Sequence, residues 1–252
     1  MKQMKKGLKL NGLLVTAALA GAAVAVPVAN AAVALDRTRA VFNGNSKSIS
    51  LNISNENKKL PYLAQAWLED GQEKKITTGP LIVTPPVQRL EPGAKSMVRV
   101  MAPGAAGLPQ DRESLFYFNL REIPPKSDKE NVLQIALQTR IKLFYRPEGI
   151  VQGPDAVWQD KLVLYAADGG YRIENPTAYY VTVIGLGGTA AQAENGKFDT
   201  VMISPKSSVK VKSGTWSTPY LTYINDYGGR PTLRFACSGS RCEAKGEVKP
   251  KA

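Results

Sequence analysis

Apolar and polar residues alternate along most of the chain, and the period is two. SISLNIS, YLAQAWLE, SMVRVMA, SLFYFNL, KLVLYAA, YYVTVIGLGG, FDTVMIS, SVKVK, PYLTYIN and TLRFAC each read as a strand with one face turned inward. Turn clusters such as NGNS, SNENKK, TTGP, EPGAK and DYGGRP separate them at the spacing of antiparallel sandwiches. No segment keeps a 3.6-residue apolar period over three turns, so the pattern predicts an all-β protein. The longest alternation is Asn131 to Tyr145, with Leu133, Ile135, Leu137, Thr139, Ile141, Leu143 and Tyr145 on one side. Fifteen residues of it predict a strand well beyond the ordinary length. Its apolar side either lines the domain's own core or stands at a sheet edge and meets another protein; periodicity does not separate the two.

RPEGIVQGPDA, residues 146–156, interrupts the strands with two prolines and two glycines. About seven strands fall on each side, which predicts two immunoglobulin-like sandwiches in tandem over 32–150 and 151–252. The tail KGEVKPKA reads as a frayed end. Residues 1–31 read as a signal peptide: Lys2, Lys5, Lys6 and Lys9, an apolar run from Leu13 to Val26, then Ala29-Asn30-Ala31. That run is too short for a membrane span, which needs about twenty apolar residues. Cleavage after Ala31 would leave 221 residues, and losing four lysines would take the formal charge from +12 to +8.

The chain holds no histidine. This excludes Ser-His-Asp triads, Cys-His dyads and HExxH zinc sites, and leaves carboxylates, lysines, tyrosines, hydroxyls and two cysteines. Cys237 and Cys242 are too few for a zinc site and too far apart for CxxC, so they predict a cross-strand disulfide about the Ser-Gly-Ser turn. Gly185-Leu-Gly187-Gly-Thr-Ala190 mimics a dinucleotide fingerprint, but TAAQAENGK gives barely one helical turn to follow it. Lys197 after Gly196 makes no phosphate loop, and the Ser207/Lys210 and Lys212/Gly214 look-alikes of penicillin-binding enzymes lie too close together. No basic run with interleaved aromatics suggests nucleic acid. The expectation is no nucleotide, no nucleic acid, no cofactor, no metal and no catalysis.

AVALDRTRAVFNG, LPYLAQAW, TGPLIVTPPVQRLEPGAKSMVRV, LPQDRESLFYFNLREIPP, NVLQIALQTRIKLFYRP, YRIENPTAYYVTVIGLGG and TPYLTYINDYGGRP together resemble the periplasmic chaperones of chaperone–usher pilus assembly, through nearly all of residues 32–245. The short connection from Arg121 to Asn131 and the lack of a cysteine pair in the first domain resemble the short-loop branch. The resemblance implies two immunoglobulin-like domains at an angle with a cleft between them, in the periplasm. It implies an ATP-independent chaperone for pilins and adhesins, incomplete sandwiches to which it lends a strand, with delivery to an outer-membrane usher.

Residue by residue, it implies that Leu133, Ile135 and Leu137 are the donor residues and that Arg39 and Lys142 anchor the subunit's C-terminal carboxylate. It further implies that Glu113, Arg146 and Asp226 link the domains and that Pro61 bears on the usher. An exposed donor edge would favour a self-capping homodimer. The competing readings are a secreted two-domain adhesin or carbohydrate-binding protein, and a histidine-free hydrolase using paired carboxylates or a Ser-Lys pair.

Overall fold

A computed structural model describes residues 31–154 and 156–248; residues 1–30 of the predicted signal peptide, Asp155 and the last four residues lie outside them. The first ten strands run β1 Val33–Leu35, β2 Arg39–Asn43, β3 Ser48–Asn55, β4 Tyr62–Glu69, β5 Lys75–Ile76, β6 Ile82–Thr84, β7 Val87–Leu90, β8 Lys95–Met101, β9 Ser114–Ile123 and β10 Gln138–Arg146. One sheet has the order β1-β3-β8-β6; the other has β2-β10-β9-β4-β5, with β7 also on β4. Their inward faces meet over a core that includes Phe42, Leu51, Val100, Phe118 and Leu143, each with essentially no exposure. The alternation places them there: in β4, Ala64, Ala66 and Leu68 are buried while Gln65, Trp67 and Glu69 turn outward.

The second group is β11 Val163–Ala167, β12 Gly170–Asn175, β13 Val181–Gly187, β14 Val201–Ile203, β15 Ser207–Lys212, β16 Tyr220–Ile224, β17 Thr232–Ser238 and β18 Arg241–Glu247. It forms one hydrogen-bonded series, β14-β13-β16-β17-β18-β11-β12-β15, around a separate core with Tyr171, Ile173, Tyr223 and Phe235. The only α-helix among the described residues, α1 Ala190–Asn195, is capped by Thr189, whose side chain accepts from the Gln192 N–H. It lies so close on β13 that a Cβ at Gly185 would stand 1.6 Å from the Ala193 carbonyl oxygen. Those glycines therefore serve packing between two pieces of this chain.

Two expectations need correction. The tail is not frayed from residue 245: β18 continues to Glu247, which is paired with Leu233. Nor is Asn131 to Tyr145 a single strand, because only Gln138–Arg146 is paired. Ahead of it, β9 ends at Ile123 before Pro124 and Pro125, and β2 reaches β10 only from Lys142 onward. Residues 132–136 thus have a neighbouring strand on neither side, and Leu137 still meets β9 through the Glu122 N–H, which donates to its carbonyl at 3.0 Å. Cys237 and Cys242 are cross-strand partners in the β17–β18 hairpin and are joined as a disulfide.

Candidate functional site: an exposed edge and a cationic cleft

The apolar side of residues 133–145 divides in two. Ile141, Leu143 and Tyr145 are buried in the first core. Leu133 is 86 % exposed, Ile135 67 % and Leu137 39 %. The same parity that fills the core after residue 140 presents bare side chains at Leu133 and Ile135, next to backbone that no ladder occupies, while Leu137 is more than half covered and is held by Glu122 of β9. Isolated exposed leucines are ordinary, but an alternating row beside unpaired backbone is an edge ready for another strand.

The parallel pairing of β2 with β10 sets Arg39 directly opposite Lys142. Both are half-buried, and neither forms an ion pair among the described residues. Burial pushes the Lys142 ammonium below its ordinary pKa, and the Arg39 charge pushes it further. Burial also lowers Arg39, against the pull of Asp226 and Glu113. The Arg39 guanidinium donates to the Ile224 carbonyl at 3.1 Å, while its Nε–H finds no acceptor among the described residues. Two like charges held side by side with donors to spare form a site for an anion.

Behind this pair the two domains are tied. Arg146 donates through Nε and Nη2 to Glu113 Oε1 at 2.8 and 2.7 Å, and through Nη1 to Asp226 Oδ2 at 2.9 Å. The other Glu113 oxygen accepts from the Tyr180 N–H at 2.8 Å. Burial pushes the Glu113 carboxyl up to about 7, opposed by Arg146. For Arg146 burial acts downward, but the two carboxylates outweigh it and the guanidinium is held above its ordinary value.

Sequence reasoning missed the aromatic lining of this network. Arg146 lies 4.7 Å from the Trp158 ring and 5.0 Å from that of Tyr179, and Phe144 stacks on Tyr180 at 5.5 Å. It also missed the ion pair of Lys206 with Asp111. The signal available was faint: Tyr179-Tyr180 after Asn175-Pro176, and a tryptophan just beyond the linker. An open cleft of about 910 Å³ lies beside the network, bordered by Arg39, Asn43, Trp158, Asp226, Tyr227 and Arg230 among others. Pro61 is elsewhere, partly exposed just ahead of β4.

Residues 32–151 match the family model for the pili and flagellar-assembly chaperone PapD N-terminal domain, and 157–235 match that for the pili assembly chaperone PapD C-terminal domain. The chain belongs to the PapD family of pilus-assembly chaperones. Among PapD-family members, it is 69 % identical over 220 residues to the chaperone protein PapD of Escherichia coli, covering 87 % of this chain and 92 % of that one. It is 44 % identical over 234 residues to the chaperone protein PmfD of Proteus mirabilis, with 90 % and 92 % covered. The crystal structure of the periplasmic chaperone SfaE superposes with a TM-score of 0.67 at 32 % identity, over 81 % of this chain and all of that one. Membership of the PapD family favours assembly of pili over the adhesin and hydrolase readings, and the relatives include a chaperone named as periplasmic.

Proposed function

We propose that this chaperone works in the periplasm, without ATP or cofactor, by donor-strand complementation. It adds residues 132–141 to the open groove of a pilin or adhesin subunit, with Leu133, Ile135 and Leu137 entering the groove. An incomplete sandwich has two defects: unpaired backbone along the gap and a bare core beneath it. An edge strand with alternating apolar residues repairs both at once. Arg39 and Lys142 take the subunit's C-terminal carboxylate and so fix the register of the added strand. Glu113, Arg146 and Asp226 hold the domains at the angle that keeps anchor and edge in line.

The observation that carries this reading is the exposure of Leu133 and Ile135, 86 % and 67 %, on backbone without a strand partner. No catalytic group is needed, in keeping with a chain that lacks histidine. Delivery to an outer-membrane usher, with Pro61 at the docking face, and reversible capping by a second copy complete the proposal. The test is co-purification with a pilin subunit from periplasm. The wild-type chaperone is expected to bring the subunit down and Leu133→Glu to lose it; equal recovery by both would overturn the reading.

A further inference from the structure

A carboxylate at the root of the donor segment remains outside the scheme above. Glu122 is the second-last residue of β9 and is 5 % exposed. It sits at an inward position, in step with the buried Phe118 and Leu120, where the alternation calls for an apolar side chain. Among the described residues it has no cationic partner; both of its oxygens are taken by backbone. Oε2 accepts the Val33 N–H at 2.9 Å, at the start of β1. Oε1 faces the Leu137 N–H at 3.4 Å, and the Glu122 N–H donates to the Leu137 carbonyl at 3.0 Å.

β1 belongs to one sheet of the sandwich and β9 to the other. One buried carboxylate thus bridges the two sheets of the first sandwich and accepts from two backbone donors, the Val33 and Leu137 N–H groups. Leu137 is the last residue before the segment loses its partners, and residue 122 grips both its N–H and its carbonyl. Beyond it the next tie within the segment is the Gln134 side chain donating to the Pro125 carbonyl at 2.7 Å.

From this geometry we infer that Glu122 is a positioning residue for the donor segment: its carboxylate fixes where the segment leaves the sheet and which way Leu133 and Ile135 point. The inference rests on the donor reading. An apolar residue at position 122 would fill the same space but leave the Val33 and Leu137 N–H groups unsatisfied. Glutamine would keep only one acceptor for the two donors. The segment would then swing about Leu137, and a subunit would have to restrain it on binding.

The test compares Glu122→Gln with Leu133→Glu and with Leu68→Ala, a core change in the same sandwich that lowers stability without touching the edge. Amide hydrogen exchange and binding of a pilin subunit diluted from denaturant are measured for each. Glu122→Gln is expected to speed exchange at Val33 and Leu137 at least tenfold, leave the amides of β3 and β8 unchanged, and weaken subunit binding about tenfold. Leu68→Ala is expected to speed exchange throughout the domain and bind normally. If Glu122→Gln binds as the wild type while Leu133→Glu does not, or if its exchange rises uniformly as in Leu68→Ala, the positioning role is refuted. If Leu133→Glu also binds normally, the donor reading itself falls.

Discussion

Replacing Leu133 tests the donor reading most directly, because the structure separates its effect on the free chaperone from its effect on the complex. Full burial of a leucine or isoleucine side chain contributes about 1.5 to 3 kcal/mol. Scaled by exposures of 86, 67 and 39 %, burial in a subunit groove leaves about 2 kcal/mol to be gained at Leu133, somewhat less at Ile135 and about 1 at Leu137. Leu133→Ala should therefore weaken subunit binding roughly 30-fold. Leu133→Glu should weaken it much more, since a carboxylate would enter an apolar groove unpaired.

In the free protein the same changes touch almost nothing and should shift stability by less than about 0.5 kcal/mol, or one to two degrees in melting temperature. Leu137 differs: it is more than half covered and both its backbone groups are engaged, so Leu137→Glu should destabilise the free chaperone measurably. Circular-dichroism melts beside a subunit-binding titration read both quantities. A fall of ten degrees or more for Leu133→Glu and Ile135→Glu would mean that these side chains line the chaperone's own core, and the reasoning would be refuted.

The pair Arg39 and Lys142, as the proposed anchor, makes a different pattern. Lys142→Ala removes a half-buried cation set against Arg39, so the free protein should be at least as stable, while subunit binding loses a charge-assisted contact worth about 1.5 to 3 kcal/mol, or 10- to 100-fold; a stability loss with normal binding would reverse the assignment. For the domain link, Asp226→Asn should lower the melting temperature, since one side of Arg146 would lose its carboxylate; unchanged melting and unchanged pilus assembly would make the residue an ordinary surface ion. Glu113 adds a pH signature: with a folded pKa of about 7 against an ordinary 4.5, the native state holds the extra proton, so its contribution is complete below about pH 4.5 and is lost as pH rises toward 7. Glu113→Gln should flatten that slope in a series of melts; an identical slope in both proteins would place the titration elsewhere.

How far the sequence carries this picture depends on the physics behind each signal. Two-residue alternation reports that a segment has two unlike faces, and it found the long strands of both cores. It does not report a partner, so Asn131 to Tyr145 read as one strand when Pro124-Pro125 and the limited reach of β2 leave its first half unpaired. Short strands such as β1, β6 and β7 are too brief to show a period. In β18 the alternation is plain once Arg241, Glu243, Lys245 and Glu247 are set against Cys242, Ala244 and Gly246, but small inward residues and a glycine disguise it. Arg39 meets Lys142, and Arg146 meets Glu113 and Asp226, only through tertiary pairing across long sequence separations. Family resemblance supplied those positions; local pattern could not. Glu122 was legible in principle as a charge on an inward parity of β9, though its partners on β1 and at Leu137 were not.

A protein that keeps an apolar edge open must also keep it from its own copies, and charge is the means at hand. Lys126, Asp128, Lys129 and Glu130, which carry no net charge together, precede the edge in the chain, and two cations without an ion-pair partner among the described residues, Arg39 and Lys142, stand at its far end. Under the proposed function a subunit would present a terminal carboxylate to those cations, whereas a second chaperone would present like charge, within a chain whose formal charge after the predicted cleavage is +8. Attraction and repulsion at one pair of residues would thus sort the correct partner from the copy. Apolar edges would still draw two copies together weakly, so self-association should be reversible and should grow as salt screens the repulsion, over a Debye length that falls from about 10 Å at 0.1 M to about 3 Å at 1 M. Sedimentation velocity across a range of concentrations at those two ionic strengths reads this directly. Dimer should increase with salt, and Leu133→Glu should abolish it. A strict monomer at high concentration and high salt, or association that weakens as salt rises, would refute the argument.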